Sequence, residues 1–239
     1  MEGIKNETIG IGGIVEIIKS NHRELEFVRV PLFELSANDF LTYAKSDLVD
    51  NDEKGLINAL SNAKRAISNR MDELIILSLL RKISLKQRWN IPTKMDKLSA
   101  IGIFVPGILQ RRITSMRNLL EHEYIKPKDS QDVEDIIEIA ELFLASTERY
   151  IELGLLGAIH PLDGSCILFN IVSDNIEIYM KDHEEIIDIS QINDDDLMDL
   201  AKELTNIKGY FSYTVHYGDM SWDGFHDEKI NYIRRNLII

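Results

Sequence analysis

With 239 residues, 44% of them hydrophobic, the chain can bury a sizeable core in one large domain or two modest ones. Its net charge of −13 speaks, as a sum, against a polyanionic partner, and its single cysteine, Cys166, excludes an internal disulfide and a multi-thiolate zinc site. The longest apolar stretch, "IGIFVPGIL" at 101–109, is broken by Pro106 and far below the ~20 residues of a membrane span. "MEGIKNETIG" shows no basic segment leading into an apolar core, so no secretory signal is expected and the cytoplasm is the expected address.

The charge is unevenly spread. Residues 1–150 carry 21 Lys and Arg against 23 Asp and Glu, net −2, whereas residues 151–239 carry 6 against 17, net −11. From Lys64 to Arg117 the balance reverses, with twelve basic residues against Asp72, Glu73 and Asp96, net +9. Two helices with solvated basic faces account for this stretch; a phosphate-attracting surface is the sharper alternative.

In chain order, residues 11–35 alternate like strands around the polar turn "NHRE", which predicts an amino-terminal β-hairpin. Within it "GIGG" at 10–13 reads as a flexible turn. From Ser36, a helix cap, the period becomes helical, with a Phe40–Tyr43–Ala44 stripe. "DNDEKG" at 50–55 caps one long central helix whose apolar positions run Leu56, Leu60, Ala63, Ile67, Met71, Leu74, Ile75 and Leu79. A short helix at 93–102, another at 106–124 and a third at 129–153, ended by Gly154, complete the helical part. Beyond Gly154 short β-like segments follow. "CILFNIV" and "IEIYMKD" form a hairpin around Ser173, Asp174 and Asn175, then come "EEIIDISQI", a helix at 194–206 and a strand "YFSYTVHY" at 210–217. The expected fold class is α+β, in three segments: a hairpin at 1–35, a helical bundle at 36–153 and an acidic α+β unit at 154–239. The first segment either pairs with the strands of the third or docks alone.

The stretch "RNLLEHEY" at 117–124 carries the chemistry. At 100° per residue, Leu109, Ile113, Met116, Leu120 and Tyr124 fall within about 80° and form a core face. Arg111, Ser115, Asn118 and His122 form a polar row opposite, while Arg117 lies about 140° from His122 on the rim of the apolar face. Arg117 and His122 therefore meet only at the helix end or across an interface.

Arg117-Asn118-Leu119-Leu120-Glu121-His122-Glu123-Tyr124 resembles the R-x4-H-x-Y signature of HEPN-domain proteins, and the tyrosine makes it similar to HepT-type toxins. The resemblance covers about residues 36–153. It implies a mainly α-helical HEPN bundle that forms a homodimer with two motifs facing one cleft, and a metal-independent endoribonuclease with no cofactor. Arg117, His122 and Asn118 would be catalytic, Arg111, Arg112 and Ser115 would bind RNA, and Tyr124 would be the residue to which a partner nucleotidyltransferase attaches AMP. An imidazole with a reference pKa of ~6.5 suits proton transfer at a ribose 2′-hydroxyl or the departing 5′-oxygen, and a guanidinium suits the phosphate. The acidic unit and the amino-terminal segment depart from the HepT pattern, so the antitoxin or nucleotidyltransferase partner cannot be carried over with the motif.

Other candidates are weaker. Gly164 and Ser165 followed by Asp174 lack the paired carboxylates of a nucleotidyltransferase. Asp194, Asp195 and Asp196 are expected to be a solvated first helical turn. "HYGDMSWDGFH" at 216–226 reads as a loop first and a metal or ligand contact second. Two alternatives stay open on sequence: a non-catalytic HEPN adaptor, and a ligand-sensing protein acting through residues 154–239.

Overall fold

The computed structural model describes residues 11–19, 23–28, 32–50, 52–109, 111–112, 130–152, 155–161, 166–170, 175–180 and 183–211. Their helices are α1 (Ile11–Lys19), α2 (Ala37–Val49), α3 (Glu53–Leu77), α4 (Arg81–Lys86), α5 (Ile91–Ala100), α6 (Ser130–Glu152) and α7 (Asp194–Phe211). The strands are β1 (Arg23–Val28), β2 (Leu155–Pro161), β3 (Cys166–Asn170), β4 (Asn175–Met180) and β5 (His183–Asp188), in one antiparallel sheet of order β1-β2-β3-β4-β5. The fold is α+β, and among the described residues no helix is long and apolar enough to cross a membrane.

The predicted amino-terminal hairpin is half wrong. Residues 11–19, which take in Ile11, Gly12 and Gly13 of "GIGG", are helical and only 23–28 form a strand. Ile11, Ile14, Val15 and Ile18 follow the spacing 3, 1, 3, which puts three buried side chains on one helical face against α7. That burial outweighs the strand preference of β-branched residues, a weak and context-dependent quantity. β1 does pair with β2 and so closes the carboxyl-terminal sheet. The register slips between Glu26 and Phe27, which pair with Ala158 and Leu156 and leave Gly157 as the extra residue of a bulge.

α2 begins with a capping box. Ser36 Oγ accepts from Asp39 N at 3.2 Å and Asp39 Oδ2 accepts from Ser36 N at 2.8 Å. The latter bond holds the Asp39 carboxyl below the usual carboxylate range. The buried stripe is Ala37, Leu41 and Ala44, with Phe40 partly buried against the core; of the predicted Phe40–Tyr43–Ala44 stripe only Tyr43 is exposed, and it meets Phe40 edge-on at 6.4 Å. Asp52 caps α3, its Oδ1 accepting from Gly55 N at 2.7 Å. Gly55 also lets the two helices approach, since a Cβ there would lie 2.6 Å from the Asp47 carbonyl oxygen.

The predicted long central helix breaks after Leu77. Leu80 N donates to Ile75 O at 2.9 Å and Leu79 N to Ile76 O at 3.0 Å, with Leu79 left-handed at φ 62°. This is a Schellman stop without glycine. The same pair of bonds ends α4, with Arg88 at φ 50°, and ends α5, with Gly102 at φ 92°. Leu79 and Leu80 are buried, so packing gained at the bend opposes the cost of the left-handed residue. Arg88 is exposed and has no such compensation. A left-handed L-residue costs about 1–2 kcal/mol and glycine loses about 0.5–1 kcal/mol in chain entropy, so Arg88→Gly is expected to stabilise by up to about 1 kcal/mol. That corresponds to a melting temperature higher by up to about 4 °C for a chain of this size. Thermal unfolding beside an Arg88→Ala control checks it; a lower melting temperature for the glycine variant would contradict the assignment.

α7 is longer than predicted and includes Tyr210 and Phe211, which the sequence placed in a strand. One glycine inside a helix costs only about 1 kcal/mol relative to alanine, too little for Gly209 to stop it. Asn193 caps this helix, its Oδ1 accepting from Asp196 N at 2.9 Å. The rest of "YFSYTVHY" and all of "HYGDMSWDGFH" lie outside the described residues.

α2, α3 and α6 pack on one another, and the sheet lays Ile159, Ile167, Phe169, Ile176 and Ile178 into the same core cluster as Ile67, Met71 and Phe143 of the helices. Each such side chain contributes roughly 1.5–3 kcal/mol by leaving water. Ile14 from the amino-terminal segment and Leu204 from α7 join that cluster, so all three sequence segments share one core. Cys166 is buried with Ala158 and Leu168 on the other face of the sheet.

Candidate functional site

The motif stands in the chain between α5 and α6. Residues 107–109 and 111–112 have helical backbone, so the start of the predicted 106–124 helix is in place. Its phase agrees with the wheel: Leu109, the first member of the core stripe, is fully buried, and Arg111, the first of the polar row, is exposed. The Arg111 guanidinium folds back beside Gly107, its Nη1 3.6 Å from where a Cβ would stand. Arg112 is also exposed and reaches Asp135 of α6 at 3.5 Å, a surface pair worth about 0–1 kcal/mol. Arg117, Asn118, His122, Ser115 and Tyr124 lie outside the described residues.

The basic stretch does not form one free surface. Arg70 is buried inside the bundle, Lys94 pairs with Asp72, Lys82 with Asp188 at 3.1 Å, and Arg112 with Asp135. The acidic unit meets this stretch at α4, through Lys82–Asp188 and through Gln87 Nε2, which donates to Asp194 Oδ2 at 2.7 Å. Gln87 Oε1 in turn accepts from Trp89 Nε1 at 2.8 Å, and Lys97 lies over the Trp89 ring at 5.7 Å. Asp194, Asp195 and Asp196 are exposed at the start of α7, as the solvated-turn reading expects. Among the described residues no group of three or more His, Cys, Asp or Glu is placed to hold a metal ion.

The sequence expectations include no buried charge cluster, yet the described residues hold one between α3 and α6. Arg70 of α3 is 2% exposed, and its Nη1 and Nη2 both donate to Glu148 Oε2 of α6 at 2.9 Å. Nη1 also reaches the Leu144 carbonyl at 3.4 Å and Thr147 Oγ1 at 3.5 Å. Arg70 Nε stands 3.0 Å from Glu73 Oε2, yet the two are not aligned as a hydrogen bond, so this is a charge contact only. Burial raises the Glu73 carboxyl above its ordinary value, Arg70 pulls the other way, and Glu148 adds to the rise. The available signal was an arginine between Ile67 and Met71, a charge set against an apolar stripe.

No family model, no curated protein and no solved structure matches the chain.

Proposed function

We propose that the chain is a metal-independent endoribonuclease of the HEPN type, serving as a toxin or defence effector, whose site is built from the motifs of two protomers. The string Arg117-Asn118-Leu119-Leu120-Glu121-His122-Glu123-Tyr124 carries this reading. Its support is the setting: a long helix α3 packed on α2, an amphipathic helix α6 that follows the motif in the chain, and helical backbone at 107–109 and 111–112 that keeps Leu109 inside and Arg111 outside. His122 takes the proton of the ribose 2′-hydroxyl or gives one to the departing 5′-oxygen. Arg117 holds the phosphate as negative charge builds, with a planar fork that a point charge does not match. Asn118 orients the phosphate or the imidazole, Ser115, Arg111 and Arg112 follow the strand, and Tyr124 is the position at which AMP attachment would silence the site.

The purified protein incubated with a mixed RNA pool tests the proposal. Cleavage is expected to survive EDTA, to need the 2′-hydroxyl, and to leave 2′,3′-cyclic phosphate and 5′-hydroxyl ends. Cleavage lost in EDTA and restored by magnesium would overturn the mechanism. An intact RNA pool would leave the adaptor as the better reading.

A further inference from the structure

We propose that Arg70, Glu73 and Glu148 form a proton-binding clasp between α3 and α6, in which Glu73 takes up the proton and the hold between the two helices weakens when that proton leaves. The clasp is independent of the ribonuclease site. In it one guanidinium faces two carboxylates. Glu148 occupies the aligned positions, with both Nη groups donating to its Oε2 at 2.9 Å. Glu73 has only the misaligned Nε at 3.0 Å, and its Oε2 is buried with no hydrogen bond. One positive charge is already matched by Glu148, so an ionised Glu73 adds an excess negative charge to the interior.

The two carboxyls differ in their access to solvent. The Glu148 side chain is 41% exposed and the Glu73 side chain 10%, so burial penalises a charge on Glu73. The charged groups at the clasp are Arg70 from α3 and Glu148 from α6, beside the hydroxyl of Thr147. Arg149, next along α6, donates to Tyr150 OH at 2.6 Å and stacks over that ring. On the other helices that pack against α3, charged groups are engaged elsewhere: Lys45 of α2 with Glu141, Asp47 of α2 with Asn62, and Lys94 of α5 with Asp72. Burial, the largest influence on Glu73, and Glu148 both favour its neutral form, and Arg70 opposes them.

The sign of the linkage follows. For an acid whose proton is held more tightly in the folded state, the stabilisation is complete below the unfolded value and is lost as pH rises through the folded one. The clasp is therefore tightest in acid and loosest above the raised Glu73 value.

Carboxyl ¹³C NMR of the full-length protein reads the clasp directly. Glu73 is expected to titrate at higher pH than the surface glutamates, and Glu148→Gln is expected to move it back towards them, because Arg70 then has only Glu73 as counter-ion. Glu73→Gln, which mimics the protonated form, is expected to melt a few degrees above the natural protein at about pH 8 and level with it at about pH 4. A Glu73 signal that titrates with the surface carboxylates would overturn the clasp. So would a Glu73→Gln variant that melts lower than the natural protein by the same amount at both pH values.

Discussion

His122→Ala is expected to reduce RNA cleavage by at least ~10²–10⁴-fold, the usual worth of a positioned general acid or base, with little change in melting temperature. The second half of that expectation comes from periodicity. His122 falls on the polar row that begins at Arg111, about 200° around the helix from the centre of the core stripe, so its loss removes no predicted core contact. Exposed Arg111 and buried Leu109 fix the phase of that wheel at its first two members. Arg117→Lys is expected to be nearly as poor an enzyme, because a lysine ammonium cannot form two parallel hydrogen bonds to phosphate oxygens. Initial rates on a defined RNA, with thermal unfolding of the same samples, decide the matter. Full activity in His122→Ala would sink the imidazole mechanism; lost activity with a collapsed melting temperature would make the histidine structural.

The parts of the fold legible in the sequence were those where local chemistry and packing agree. Ser36 and Asp52 announce α2 and α3 because a side-chain oxygen before an apolar period satisfies amide groups the helix leaves open. The β3–β4 hairpin is legible because its two apolar runs flank Ser173, Asp174 and Asn175, and each run feeds alternate side chains to the helical side, Ile167 and Phe169 on one strand and Ile176 and Ile178 on the other. α1 was misread because Ile, Val and Gly carry strand and turn preferences while their spacing is helical. The burial of Ile14, Val15 and Ile18 against α7 is a long-range fact that no local window contains.

The breaks at Leu79 and Arg88 were illegible for a related reason. Nothing between Leu77 and Lys86 is a glycine or proline, and the apolar period runs straight through the bend. What ends α3 is tertiary: Leu79 and Leu80 are buried, and Lys82 and Gln87 tie α4 and its following turn to Asp188 and Asp194 more than a hundred residues along the chain. For the candidate site, the residue types and their phase on the helix are a matter of sequence. The destination of the neighbouring charge is not, since the described part of the +9 stretch divides between a buried arginine, pairs with carboxylates inside and outside the stretch, and exposed residues such as Arg88 and Arg111.

At about pH 8, where Glu73 is expected to have lost its proton, Arg70→Ala is expected to destabilise the fold by roughly 3–5 kcal/mol, the cost of removing one member of a buried ion pair. The substitution leaves Glu73, 8% exposed, facing Glu148 with no cation between them, and opens a cavity where the stem of the arginine filled the α3–α6 seam. Each kcal/mol lowers the melting temperature of a chain this size by about 2–4 °C, so the transition is expected to fall by roughly 6–20 °C. The loss reflects the stranded carboxylate more than any large net worth of the ion pair, and a second variant separates the two. Arg70→Met with Glu73→Leu fills the same space without buried charge, and Glu148, already 41% exposed at its side chain, can turn to water. That double variant is expected to recover most of the lost stability, as hydrophobic replacements of buried ion pairs often do. Denaturant unfolding of the natural chain and both variants measures the difference. A cost below about 1 kcal/mol for Arg70→Ala would mean that water reaches Glu73 freely and that the centre of the bundle is not the dry clasp described.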